Sequence, residues 1–409
     1  MNILNILCSI LLLSVGATSY AFESTKTLPK GVRNLNVKGL YTTTSNKTNA
    51  SGDLEPLAEP LWRPLRFRNI VAGEKGLKKT QLEAFLLSQN INQNDTAGDF
   101  RADLNAQINV WAPVFAWGIT DRLTLAAALP YYSSSTDVKV GFRTNAGAQR
   151  FLAALTTESM NNYQSAVEAA EKFQNAVGRL NERLQENAYQ ALEPWNKTAW
   201  GDLTIASKYL AYDGETLKLA GQFGVNAPTG RTDNPDILTD LPFGDGQWDV
   251  FGTVLSDQYL NSSIFFNQFF KYTYQSPDRK NVRWKTYEET VEAPRVPTDY
   301  KLGDKIDAGL SMQFEQESTG LTGGLGGLYF RKFSDRYEVD LPEVRNELQR
   351  QTGQNALYWQ ARLGYTTLPA FHRKDFALPL SASIEYRKQF QSRNVPVTDF
   401  TQVDLNLFF

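Results

Sequence analysis

The chain has 409 residues, 42 Lys and Arg against 44 Asp and Glu, a net charge of -2, one cysteine and one histidine. A near-neutral balance with no basic block argues against a nucleic-acid partner. Cys8 and His372 alone leave little for thiol, disulfide or imidazole chemistry, so no cofactor or metal centre is implied. After the N-terminus no stretch approaches the roughly 18 consecutive apolar residues of a helical membrane span.

Residues 1–21 read as a signal peptide. Ile10 to Val15 is an apolar centre, and Ser19 and Ala21 are small residues before a cut at Phe22, although no Lys or Arg lies near Met1. Removal takes Cys8 with it. Val32 to Thr42 then alternates, with Leu35, Val37 and Tyr41 opposite Asn34, Asn36 and Lys38, which is the two-residue period of a strand. A polar loop at 45–98 follows, carrying Pro56, Pro60 and Pro64 and a short helix over Lys78 to Ser88. Phe100 to Trp111 resumes the alternation and runs on to Trp117. Its apolar residues Phe100, Ala102, Leu104, Ala106, Ile108 and Val110 are expected outward, and Arg101 and Asp103 inward. Gly118 to Asp121 is a tight turn, and Leu123 to Tyr131 returns.

The loop at 144–199 is different in kind. From Ala148 to Leu192 the apolar residues recur every three or four positions, predicting one long helix or a helical hairpin broken near Thr156 to Asn162. Folded inward it would gate a pore; folded outward it would be a cap or partner-binding surface. Its stripe residues Phe151, Leu155, Phe173, Val177, Leu180 and Leu184 are the gate or cap candidates. Strands then alternate with short and long links. They cover Asp202 to Tyr212, Leu217 to Val225, Trp248 to Ser256, Ser263 to Tyr274, Ile306 to Glu315, Leu321 to Phe333, Leu357 to Tyr365, Leu378 to Arg387 and Phe400 to Phe409. A short helix is expected in Glu343 to Gln351.

The tally is twelve strands, or fourteen if either large insertion hides a hairpin. The fold class is therefore all-β: residues 22–409 form one transmembrane antiparallel β-barrel with a long helical insertion. Closure leaves no unpaired edge in lipid. An even count puts both termini and the short turns on the periplasmic side of a Gram-negative outer membrane, with the long loops outside. The expected lumen lining is polar and of both signs: Lys38, Arg101, Asp103, Asp202, Lys208, Lys218, Asp249, Lys271, Lys305, Asp307, Glu315, Arg362, Glu385, Arg387 and Asp404. Such a lining either cross-links into an ionic plug or lines a wet channel. The expected partners are outer-membrane lipid, a small-molecule solute, and the barrel assembly machinery through the C-terminal strand and Phe409. His372, in a turn beside Arg373 and Lys374, offers no nucleophile–base pair, so an enzyme is not expected. Asp233, Asp236 and Asp240 could collect Ca2+, but a solvated acidic loop is the simpler reading. The alternative to transport is a surface-binding or structural barrel with an occluded lumen.

Gly118-Ile119-Thr120-Asp121-Arg122-Leu123-Thr124-Leu125 followed by Leu129-Pro130-Tyr131 resembles the outer-membrane protein family named for the meta-pathway of phenol degradation. Gly201-Asp202-Leu203 with Lys208-Tyr209 is similar to its next strand. Gly224-Val225-Asn226-Ala227-Pro228-Thr229-Gly230 resembles its strand-end Leu-Pro-Thr-Gly element, and Gly244 to Asp249 and the terminal phenylalanine also fit. The resemblance runs from about Phe100 onward. It implies an outer-membrane channel for small, hydrophobic or aromatic molecules. The two large insertions depart from the family's usual short connections.

Overall fold

A computed structural model describes residues 23–157, 164–284 and 293–409. The expected signal peptide lies outside the described residues, as does the centre of the expected helix break between Thr156 and Asn162. In chain order the strands used below are β1 (Arg33–Thr44), β2 (Thr96–Thr120), β3 (Leu123–Ala128), β4 (Tyr131–Thr144), β5 (Trp195–Trp200), β6 (Leu203–Asp213), β7 (Leu217–Ala227) and β8 (Asp249–Tyr259). They continue as β9 (Ile264–Gln275), β10 (Asp278–Arg283), β11 (Arg295–Lys301), β12 (Lys305–Gln316), β13 (Leu321–Lys332), β14 (Gln354–Thr366), β15 (Leu380–Arg393) and β16 (Phe400–Phe408).

Twelve of these strands close on themselves in the order β1, β16, β15, β14, β13, β12, β9, β8, β7, β6, β3, β2. The seam is the antiparallel pairing of β1 with β2, from Arg33 opposite Trp117 to Thr44 opposite Ala106. Every backbone edge of the wall is thus satisfied by a neighbour, which is what a sheet in lipid requires. Among the described residues no helix is long and apolar enough to cross a membrane. The wall alternates, apart from register shifts at Leu219/Ala220 and Leu357/Tyr358. In β8, Asp249, Phe251, Thr253, Leu255 and Asp257 are buried inward, while Val254 stands out from the wall at 63% exposure. Trp117, Tyr209, Phe223, Phe270, Trp359, Leu363 and Leu405 project outward in the same way, forming an apolar outer band.

β2 is the exception in length: it has 25 residues where about 9–11 cross a bilayer. Its side-chain phase never changes, but the surroundings do. From Trp111 to Trp117 the odd-numbered residues Trp111, Phe115 and Trp117 face out as bulky apolar groups. From Ala102 to Val110 the even-numbered apolar residues face in and are buried. The upper half of β2, with β4 and β5, therefore projects beyond the rim, where the outer face meets water and the greasy face turns toward protein. This corrects the expectation for Arg101 and Asp103. Both lie on the outer face, away from the bore, and the Arg101 guanidinium sits 4.3 Å from the centre of the Trp62 ring.

The two large insertions form one helical cap beside this projecting sheet. Helices α1 (Phe67–Ala72) and α2 (Gly76–Ser88) come from the first insertion, and α3 (Ala146–Thr157), α4 (Gln164–Gln174) and α5 (Ala176–Glu186) from the second. Phe151 packs against Phe67 at 5.5 Å and Phe85 at 5.7 Å between ring centres. Leu155 and Phe173 join the same small core, and the ion pairs Lys78–Glu168 and Lys172–Glu74 tie the insertions together. Phe151, Leu155 and Phe173, expected as gate or cap residues, thus lie in the core shared by the two insertions. On α5, Leu184 is buried against the inner apolar face of β2 and β4, with Leu180 beside it and Val177 half-buried. A second cap element is the β10–β11 hairpin with α6 (Pro342–Gln349), which covers the expected short helix and packs Val344 and Leu348 on Tyr300 and Tyr337.

Candidate functional site: the bore

A segment that carries no strand or helix pattern enters the barrel at the short-turn end. Gly31 turns the chain at φ +84, and its amide bonds to the Gly118 carbonyl at 2.8 Å. A side chain at Gly118 would meet the Pro29 carbonyl oxygen at 2.1 Å, so the approach needs glycine there. Leu28 then donates its amide to Thr124 Oγ1 at 2.8 Å on β3. Thr25 donates both its amide (2.8 Å) and its hydroxyl (2.7 Å) to Asp257 Oδ2 on β8. Lys26 pairs with Glu315 on β12, and Lys208 on β6 donates to the Ser24 carbonyl at 3.1 Å and lies 3.8 Å from Glu23. Residues 23–28 thus lie across the lumen, and Thr25 is completely buried. Lys208 and Glu315 serve as tethers for this segment. The segment escaped sequence reasoning because its partners lie 94 to 289 positions away.

Deeper in the barrel the inner wall carries a belt of both signs. Lys271 stands opposite Asp307 across β9 and β12, with its ammonium 4.2 Å from the Phe251 ring centre. Lys305 Nζ lies 3.7 Å from Asp249 and 4.0 Å from Asp245. Arg362 is opposite Glu385, whose Oε1 accepts from Arg387 Nε at 2.6 Å. Lys38 lies 3.6 Å from Asp404, which also accepts from Gln402 Nε2 at 2.7 Å. Lys218 sits lower, 2.7 Å from Asp213 near a short turn. Paired charges cancel over short distances, so the belt has little net sign and a strong transverse field.

The pairing is incomplete. Gln222 Oε1, Asp249 Oδ1, Thr253 Oγ1, Asp307 Oδ1, Gln402 Oε1 and both terminal nitrogens of Arg387 are buried without a hydrogen-bond partner among the described residues. Each such group costs about 1–3 kcal/mol if left dry. They are concentrated on the inward face of the wall.

The far end of the bore meets a rim outside the spanning strands. Asp202, between β5 and β6, accepts the Gly230 amide at 2.8 Å. Burial, with the Asp249 charge adding, pushes its carboxyl up to about 6. Asp245 is pushed up to about 7, by burial first and Asp249 second, with Lys305 pulling the other way. Phe243 closes the loop by stacking on the buried Tyr132 ring at 5.1 Å. Asp236 and Asp240 hold protein cations: Asp236 pairs with Arg283 and Arg295, and Asp240 with Arg231. This corrects the picture of a solvated acidic loop, and Arg side chains occupy the place a calcium ion would need. Among the described residues no group of His, Cys, Asp and Glu has metal-site geometry. His372 is exposed at the short-turn end.

No family model matches the chain, so the likeness to the phenol meta-pathway family rests on the motifs above alone. No curated protein matches it either. The fold is similar to that of an outer membrane channel from Pseudomonas putida F1, at TM-score 0.54 and 11% identity, over 96% of this chain and 100% of that chain. The Ralstonia pickettii toluene transporter TbuX aligns at TM-score 0.38 and 10% identity over 99% of both chains. A Pseudomonas aeruginosa FadL homologue aligns at TM-score 0.35 and 8% identity, over 93% of this chain and 90% of that one. The last two scores carry no argument. The first shows the fold: a β-barrel of the outer-membrane type.

Proposed function

We propose that the protein is an outer-membrane channel that passes a small solute, with residues 23–28 as its removable stopper. The single observation that carries this reading is the way that segment is held. Polar side chains on β3, β6, β8 and β12 grip it, and among the described residues none of its side chains belongs to an apolar core cluster. Such polar contacts exchange with water at a net cost of about 0.5–1.5 kcal/mol for a neutral bond and about 1.5–3 kcal/mol for one to a charged group. A permanent floor would be better built from buried apolar contacts. The solute class is the open part of the proposal. Hydrophobic or aromatic molecules are what the motif resemblance implies.

In this reading the termini and short turns are periplasmic and the long loops extracellular. Lipid covers the outward residues, and the β16 strand ending in Phe409 engages the barrel assembly machinery. No enzymatic role is proposed. Liposome swelling with the purified full chain tests the transport reading. Entry of small neutral solutes, faster after deletion of residues 23–28, is the expected result. Correctly folded protein that never swells liposomes, with or without the segment, would favour the occluded structural barrel.

A further inference from the structure

β15 presents Glu385, Arg387 and Gln389 to the bore at successive inward positions, all of them buried. Glu385 engages only Nε of the Arg387 guanidinium. Nη1 and Nη2, the two ends of the fork, have no hydrogen-bond partner among the described residues, and the arginine is 2% exposed. Two positions along, the Gln389 amide is oriented by the protein itself: its Oε1 accepts the Thr398 amide at 2.9 Å. That bond fixes Nε2 as the outward donor, and Nε2 too is buried without a partner among the described residues. Donors without a hydrogen-bond partner among the described residues therefore accumulate on one patch of wall.

Apolar rings flank the patch. Phe400 on β16 stands opposite Arg387, and Tyr358 on β14 stands opposite Gln389. The two rings lie 6.1 Å apart, and both are almost fully buried. A pinned, planar fork of N–H donors matches a planar two-oxygen acceptor, and a carboxylate is that group. Glu385 bonds to the guanidinium and the Asp307 charge also acts on it, so a monoanion suits the patch better than a dianion. The rings give the donor patch an apolar border.

We infer that Arg387 Nη1 and Nη2 with Gln389 Nε2 form a carboxylate subsite in the bore wall, and that its ligand is a monocarboxylate whose apolar part lies against Tyr358 and Phe400. The inference rests on the channel reading for the route by which such a solute arrives, but its test does not need conduction. Isotope-labelled benzoate is equilibrated with the detergent-solubilised full chain, with benzamide and phenylphosphonate as competitors. Benzoate should bind saturably, and benzamide should compete at least tenfold less well. Phenylphosphonate, the dianion, should also compete less well than unlabelled benzoate. Arg387→Gln should weaken benzoate about 10- to 100-fold, and Gln389→Ala several-fold. Arg387→Lys keeps the charge and loses the fork, so it should fall between wild type and Arg387→Gln. Heat-modifiable migration on a gel checks that each variant is a folded barrel. Equal binding of benzoate and benzamide, or unchanged benzoate affinity in folded Arg387→Gln, overturns the subsite. Liposome swelling with a neutral sugar is run alongside. Swelling without benzoate preference sinks the subsite and leaves the channel; benzoate binding without swelling sustains the subsite and removes the channel.

Discussion

Thr25 and Asp257, 232 positions apart, are joined by two hydrogen bonds to one carboxylate oxygen, at 2.8 and 2.7 Å. The other oxygen of Asp257 accepts from Asn267 Nδ2 at 2.7 Å, so the carboxylate is fully used. Replacing Asp257 with Ala strips the segment of its main anchor and orphans Asn267. Asp257→Ala should therefore raise single-channel open probability several-fold in planar bilayers while the barrel stays folded. A conductance trace identical to wild type would separate this contact from any role in closure.

The rim carboxyls make the long-loop end sensitive to pH. Asp202 and Asp245 have folded values near 6 and 7, above the ordinary 3.8. A carboxyl raised on folding is better tolerated protonated, so its contribution is intact below about 4 and is lost as pH climbs through 6 to 7. Acidifying from pH 8 to pH 5.5 should relieve repulsion among Asp202, Asp245 and Asp249 and slow proteolysis within 228–248. Asp245→Asn should flatten this dependence. Faster cleavage at low pH would contradict the sign.

Asp236 fastens three parts of the cap. It pairs with Arg283 and Arg295, and Arg283 also donates to the Asn187, Ala188 and Ala293 carbonyls. Asp236→Ala leaves Arg283 buried without its counter-ion, a change worth about 3 kcal/mol of local stability. Hydrogen exchange should speed up in 176–190 and 278–284 together, with the wall strands unaffected. Exchange confined to the loop containing residue 236 would show that the clamp does not couple them.

The membrane boundary is testable on two outward positions. Val254, at the middle of β8, should cost about 2–4 kcal/mol when replaced by Arg, because its side chain meets lipid. Asn105, on the projecting half of β2, should accept Arg within about 0.5 kcal/mol, because its side chain meets water. Reversible folding into lipid vesicles measures both. Equal penalties would move the boundary on β2.

The wall was legible in the sequence because a half-buried strand advertises itself by alternation, and twelve alternating runs with short and long links leave few topologies. What alternation does not encode is which side is wet. From Trp111 to Trp117 the bulky apolar side chains of β2 are on the exposed outer face; from Ala102 to Val110 the apolar side chains are buried inward and Arg101 and Asp103 are on the outer face. The signal for that exchange is present, since the bulky residues move from even positions at Leu104 and Ile108 to odd ones at Trp111, Phe115 and Trp117. The helical periodicity of the second insertion located a cap but not its partner, because Phe151 packs against Phe67 and Phe85 from the other insertion. Residues 23–28 have no periodic pattern at all, and only the closed wall gives Thr25 and Lys26 their partners.

The most direct test locks the stopper to the wall. Cys8, inside the expected signal peptide, is the one cysteine in the sequence. A Thr25→Cys, Asp257→Cys double variant therefore offers a defined disulfide, with each single variant as control. In planar bilayers the oxidised double variant should stay closed, and reduction in the same membrane should open it to at least the wild-type current, while the single variants ignore the reductant. Full conductance with the crosslink verified in place would contradict closure by this segment, and with it the account of the protein as a stoppered channel.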